Sequence, residues 1–295
     1  MKAAVIINKK SGPEISNPSL IEKEFRKYDY EVILKNISGG EIIAAVEEAL
    51  AEHPDILVIS GGDGSISSAA QMIIEKGIPL GVLPAGTYNH FAKDAGIPLS
   101  LKKAVELITK NEFQSIDVGE VNGKIFINNS SVGLYPKAVK LREHILHKWG
   151  GVKWAAMFIA VITIFKRFPL FTLRIKTGNE RNLFTTPFIF IGNNEYKFEI
   201  FNLGRRTTFT GGKLNLYTAK IVSRIGILKM VFLNLFGKLN QVKNFDLRLI
   251  ENVTVETKSR TVNVAIDGEI YKLHPPLNYK ILPKKLKVFL PRKKV

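Results

Sequence analysis

Two stretches of the 295-residue chain have the residue types and spacing to do chemistry: Gly61-Gly62-Asp63-Gly64-Ser65 and, roughly twenty residues on, Pro84-Ala85-Gly86-Thr87-Tyr88-Asn89. Each follows a short apolar run, Ile56–Ile59 and Leu80–Leu83, and each leads into a segment of helical composition. A glycine-rich turn between a strand and a helix N-terminus points backbone N–H groups outward. The helix dipole there favours negative charge, and the absent side chains let a phosphate approach closely. Asp63 stands inside the first turn. A carboxylate facing polyphosphate repels it unless a hard cation such as Mg²⁺ lies between them. Either turn alone can be no more than a tight bend. Two of them at the carboxyl ends of neighbouring strands predict one shared nucleotide site.

The elements that must position these turns alternate. Ala3–Asn8 reads as a first strand, and Asn17-Pro18 as an N-cap with proline at the first helical position, opening a helix to about Tyr28. Glu31–Lys35 follows as a strand, Gly40–Glu52 as an amphipathic helix and Ser65–Ile74 as the helix after the first turn. Ser100 caps a helix over Leu101–Lys110, with Ala104, Leu107 and Ile108 on one face. This alternation predicts a doubly wound α/β domain whose site lies outside the carboxyl ends of the strands.

From Phe113 the pattern changes. Phe113–Val121 and Lys124–Asn129 read as strands joined by Asn122-Gly123, a hairpin turn. Strands are expected over 171–176, 183–191, 213–219, 245–255, 262–266 and 269–272, with a final apolar run at 286–290. Helices are expected over Gly133–His147, Val152–Arg167 and Ile221–Leu239. The second part therefore predicts a mainly antiparallel β-sandwich with helical insertions. The boundaries read from the sequence are 1–125 for the nucleotide-binding domain, with 285–295 as an optional completing segment, and 126–284 for the β-rich domain.

The chain has no cysteine, which excludes disulfides and thiol catalysis and fits a reducing, cytoplasmic setting. Its longest apolar run, Trp154–Phe165, is too short to span a bilayer. The net charge of +17 is uneven: residues 1–120 carry 12 Lys and Arg against 17 Asp and Glu, and the rest carry 31 against 9. Such asymmetry implies an anionic partner for the second part. Its basic residues interleave with Phe, Leu and Ile, as over Lys148–Phe171 and Arg224–Lys243, and no nucleic-acid-binding signature accompanies them. An anionic lipid surface, bound peripherally, suits that pattern better than nucleic acid.

Gly61-Gly62-Asp63-Gly64-Ser65 followed by Leu83-Pro84-Ala85-Gly86-Thr87-Tyr88-Asn89-His90-Phe91-Ala92 closely resembles the signature of the diacylglycerol kinase catalytic-domain family. Asn8-Lys9-Lys10-Ser11-Gly12, Asn128-Asn129-Ser130-Ser131-Val132-Gly133 and Asp267-Gly268-Glu269 extend the likeness along nearly the whole chain. The resemblance implies a lipid kinase that moves the γ-phosphate of ATP, with Mg²⁺, to the hydroxyl of a diacylglycerol-like acceptor. It implies nucleotide contacts at Asn8, Lys9, Gly61, Gly62, Asp63, Gly64, Ser65, Gly86, Thr87 and Asn89, and metal at Asp63, directly or through water. Asp267-Gly268-Glu269 is a type I′ turn by spacing. The resemblance makes it the catalytic turn, with Asp267 favoured as base and Glu269 orienting it or binding metal. A homodimer is compatible with the family.

The chain departs from the family at three points. Lys9 stands where the first loop usually has proline. His90 follows Asn89 where the family usually has aspartate, so an imidazole either touches phosphate or turns to the core. Gly211–Tyr217 lacks the aspartates with which some members hold a structural Mg²⁺, so that ion is expected to be missing. A nucleotide-binding regulator without transfer activity, and a kinase of a soluble acceptor such as NAD or a sugar phosphate, are the alternative readings. His144 and His147 lack an evident third ligand and read as a surface pair.

Overall fold

The computed structural model describes residues 1–8, 15–38, 40–133, 171–177, 180–186, 188–196, 206–219 and 245–292. The helices expected over 133–147, 152–167 and 221–239, the pair His144 and His147, and Lys9 lie outside these residues, apart from Gly133 itself. The chain divides into two units: residues 1–118, 208–211 and 282–295, and residues 119–207 and 212–281.

The first unit alternates as its apolar periodicity requires: β1 (Lys2–Asn8), α1 (Pro18–Arg26), β2 (Glu31–Ile37), α2 (Ile42–Ala51), β3 (Ile56–Gly61), α3 (Asp63–Ile73), β4 (Leu80–Pro84), α4 (His90–Ala95) and α5 (Leu101–Thr109). The strands are parallel in the order β2-β1-β3-β4. Order reverses between β1 and β3, the switch point at which open α/β sheets leave a crevice at their carboxyl ends. Helices cover both faces, which is why Ala3–Ile7 and Ile56–Gly61 are buried along their whole length. Ala3, Val5, Ile7, Ile56, Val58 and Leu83 share one core with Ile21 and Phe25 of α1 and Ala104, Val105 and Ile108 of α5. Val105 thus takes the core position expected of Leu107.

The predicted caps are formed. Asn17 accepts the amide of Leu20 with Pro18 in the first turn, and Ser100 accepts that of Lys103. Helix α3 begins at Asp63, two residues earlier than its composition indicated, because Gly62 is the N-cap.

Among the described residues eleven strands follow: β5 (Phe113–Val121), β6 (Lys124–Phe126), β7 (Asn129–Gly133), β8 (Phe171–Thr177), β9 (Glu180–Thr186), β10 (Phe188–Asn193), β11 (Leu214–Ala219), β12 (Phe245–Ile250), β13 (Asn252–Glu256), β14 (Val262–Ile266) and β15 (Glu269–Leu273), and then β16 (Leu277–Phe289). β5 and β16 pass from one unit to the other. In the first unit β16 runs parallel to β4, pairing Val288 with Leu80. In the second, its beginning pairs antiparallel with β13, which pairs with β8 and then β9. A separate six-stranded sheet runs β12-β11-β10-β7-β14-β15. Val253, Val255, Leu277 and Tyr279 of the first ladder share one core with Val132, Ile189, Leu216 and Val264 of the second. This is the expected sandwich.

Three stretches that read as single strands are split between these sheets. Residues 124–129 become β6 and β7, residues 183–191 become parts of β9 and β10 with Pro187 in the sequence between them, and residues 245–255 become β12 and β13. At the last break the buried alternation slips from Ile250 to Val253 and Val255, so one strand could not keep both sets inward. The Asn122-Gly123 hairpin forms as expected, with φ of 46° and 82° and Val121 facing Lys124. Among the described residues no helix is long and apolar enough to cross a membrane.

Candidate functional site

The two glycine-rich turns lie side by side. Gly61, the last residue of β3, pairs with Pro84 at the end of β4, and the Ala85 amide donates to the Gly61 carbonyl at 3.1 Å. A Cβ on Gly86 would lie 2.5 Å from Cα of Gly62, and one on Gly61 would lie 2.9 Å from Cβ of Ser65. No side chain fits where the backbones approach this closely. At the switch point the Asn8 amide group donates to Oγ of Ser65 at 3.2 Å, joining the end of β1 to the start of α3.

Asp63, at the first position of α3, turns its carboxylate across to the second turn. Oδ2 accepts the amide of His90 at 3.0 Å and Oδ1 that of Phe91 at 2.9 Å. These are leading amides of α4, which has no other side-chain cap. Asn89 precedes them in the left-handed region, φ 50° and ψ 47°, a conformation asparagine tolerates better than most residues. Its Nδ2 donates to the Gly86 carbonyl at 2.7 Å, while its buried Oδ1 has no partner. His90 is exposed rather than turned to the core, and its ring stacks on that of Tyr88, centroids 5.6 Å apart and planes 6° from parallel. Thr87 is also exposed.

The structure therefore gathers Asn8, Gly61, Gly62, Asp63, Gly64, Ser65, Gly86, Thr87 and Asn89 around the carboxyl ends of β1, β3 and β4. Arranged this way, α3's N-terminus and the glycines of the two turns present backbone donors to an anion. Phe209 belongs to this unit, in the short segment 208–211, although the chain before and after that segment belongs to the other. Its ring meets Phe91 edge-on at 5.9 Å, and its carbonyl accepts the amide of Asp117 at 2.8 Å. No periodicity or motif marks Phe209 in the sequence.

Asp267 and Glu269 lie in the second unit, on the β14–β15 turn. Asp267 at φ 46° and Gly268 at φ 91° form the expected type I′ turn, closed by pairing of Ile266 with Glu269. The Asp267 carboxylate accepts three consecutive amides: Ile127 at 2.7 Å, Asn128 at 2.8 Å and Asn129 at 2.9 Å. The same stretch is held from its carbonyl side. Arg206 and Asn193 donate to the Ile127 carbonyl at 2.7 and 3.0 Å, and Tyr196 donates to that of Asn128 at 3.1 Å. Arg206 also binds Asn128 Oδ1 at 3.0 Å, so Asn128, formally a glycosylation acceptor, is buried and engaged. A backbone that leaves one sheet for another below the surface needs every polar group matched, and this network matches them. Sequence reasoning missed Arg206, Asn193 and Tyr196, which carry no local signal.

Glu269 is exposed, and its Oε2 accepts the Tyr271 hydroxyl at 2.6 Å. Burial, and then the Glu269 carboxylate, push the Tyr271 hydroxyl up to about 12. Lys124 sits 4.4 Å from the centre of the same ring.

A profile of the diacylglycerol kinase catalytic domain matches residues 2–121. An uncharacterised Synechocystis protein is 29% identical over 252 residues, 84% of this chain and 57% of that protein. The diacylglycerol kinase of Bacillus subtilis is 33% identical over 138 residues, 45% of this chain and 46% of that one. A Pseudomonas aeruginosa protein named as a YegS-like lipid kinase is 42% identical over 111 residues, 37% of this chain and 36% of that one. The chain thus spans about half the length of these curated relatives, or less. A solved structure titled as a diacylglycerol kinase from Bacillus anthracis superposes with a TM-score of 0.71 at 21% identity, covering 100% of this chain and 98% of that one. That likeness is one of fold.

Proposed function

We propose that this chain, whose residues 2–121 match the profile of the diacylglycerol kinase catalytic domain, transfers the γ-phosphate of ATP to the hydroxyl of a diacylglycerol-like lipid. The observation that carries the reading is the backbone contact between the turns after β3 and β4, where Gly61, Gly62 and Gly86 meet beside the N-terminus of α3 with no room for a Cβ at Gly86. Phosphoryl transfer asks the protein chiefly to hold phosphates, metal and acceptor in line. Asn8, Gly61, Gly62, Gly64, Ser65, Gly86, Thr87 and Asn89 would hold the nucleotide, with Lys9 beside Asn8 in sequence. The residues fit Mg²⁺ held largely by phosphate oxygens and water. Each Asp63 oxygen keeps a second lone pair beyond the one given to an amide, and a water on the metal can reach it.

In this proposal Glu269 accepts the proton of the lipid hydroxyl and Asp267 builds the turn that carries it. This reverses the roles favoured by the sequence reading. Three amides on the Asp267 carboxylate support the reversal, because they take at least three of its four lone pairs and fix it within the turn, whereas Glu269 is exposed. The positive second part of the chain supports work at an anionic membrane surface by a peripherally bound, cytoplasmic protein, as monomer or homodimer.

The test is transfer of labelled γ-phosphate from Mg-ATP into mixed micelles of diacylglycerol, monoacylglycerol, ceramide, sphingosine or phosphatidylglycerol. The expected result is one labelled lipid, lost in D63A and E269Q. Label in NAD or a sugar phosphate instead would move the acceptor to a soluble one. ATP-dependent thermal stabilisation with no label in any acceptor would make the chain a regulator.

A further inference from the structure

Tyr88 sits between two residues of the nucleotide cradle and yet is 62% exposed. One face of its ring is stacked on His90, and the stack is anchored because the His90 amide is held by Asp63. Beside it the Asn89 Nδ2 donates to the Gly86 carbonyl at 2.7 Å, which fixes the turn that carries Tyr88. A preformed, exposed aromatic face on the turn that carries Gly86 and Thr87 suits the nucleoside end of a nucleotide rather than its phosphates.

We propose that the Tyr88–His90 stack is the platform on which the nucleotide base packs, making Tyr88 a specificity-determining residue that favours purine over pyrimidine triphosphates. This rests on the nucleotide site proposed above and adds which part of the ligand the second turn reads. Stacking strength grows with the area of the base, so the preference follows from ring size, and adenine and guanine are bound alike.

The experiment is equilibrium binding to the full chain, with Mg²⁺ present, of ATP, GTP, CTP, UTP and inorganic tripolyphosphate, for the wild type, Y88A and Y88F. ATP and GTP are expected to bind the wild type a few-fold more tightly than CTP and UTP, since stacking strength gives modest preferences among bases. Y88A should lose about tenfold for ATP while tripolyphosphate binding stays unchanged, and Y88F should match the wild type. Y88A binding ATP as the wild type does would overturn the platform and leave the nucleotide site standing. Equal weakening of ATP and tripolyphosphate in Y88A would overturn it too, since that reports a damaged turn. A wild type that binds neither ATP nor tripolyphosphate would overturn both the platform and the nucleotide site.

Discussion

The carboxylate of Asp63 accepts the backbone amide of Phe91 at 2.9 Å, joining the first residue of α3 to a helix that begins after the next strand. Its other oxygen holds His90 at 3.0 Å. The one acidic residue of the glycine-rich turn is thus also the cap that fixes the second turn against the first.

Replacing Asp63 should therefore cost stability as well as activity. D63A removes the cap of α4, an effect of about 1 kcal/mol, and D63N, which keeps one acceptor oxygen, should lose less. Urea midpoints of the two variants check the order. Equal midpoints for D63A and the wild type would show the cap to be energetically idle.

Gly86→Ala should part the turns. Its Cβ would fall 2.5 Å from backbone Cα of Gly62, a contact no rotamer relieves. ATP affinity is expected to drop at least about tenfold, a loss of about 1.4 kcal/mol, readable by calorimetry. Unchanged ATP affinity would remove the backbone contact from the account of the site.

Asp267 and Glu269 should separate on substitution. D267N turns an amide group toward three backbone donors and should destabilise by about 1–3 kcal/mol. E269Q, on an exposed side chain, should leave stability within about 0.5 kcal/mol and lower kcat about a hundredfold or more, as loss of a general base does. Urea unfolding and single-lipid kinetics measure the two. A stable, inactive D267N with a fully active E269Q would return the base to Asp267.

Alkali should unfold the second unit early. Tyr217 and Tyr271 are pushed up to about 12, chiefly by burial, and the fully buried Tyr279 hydroxyl is pushed up further. Raised folded-state values favour the protonated, folded chain below the ordinary tyrosine value of 10.0. Above it the unfolded chain gives up protons that the folded chain keeps, so stability falls as pH rises from about 10 toward 12. Y279F should make that fall shallower. E269Q should lower the Tyr271 value, because the Glu269 hydrogen bond and charge both raise it, and ultraviolet titration of the phenolate follows it directly.

The alternation of apolar runs and glycine-rich turns was enough to predict the doubly wound first unit, its caps at Asn17 and Ser100, and the turns that face one another. These are local effects: a strand buried on both faces needs a continuous apolar run, and a turn between strand and helix needs glycine. The hairpins at Asn122-Gly123 and Asp267-Gly268 were legible for the same reason, since few residues accept their backbone angles.

What the sequence determined is the set of elements and the chemistry of the turns. What only the tertiary structure decided is which strands stay whole and which polar groups meet. Residues 124–129 read like one strand, yet Asp267, Arg206, Asn193 and Tyr196 hold Ile127 and Asn128 where the chain passes from β6 in one sheet to β7 in the other. Asp63 reaches His90 and Phe91 by the same kind of long-range match. Such partners are far apart along the chain, and burial forces them together because an unmatched polar group below the surface is costly. That requirement acts on the folded backbone and leaves no periodicity in the sequence to read.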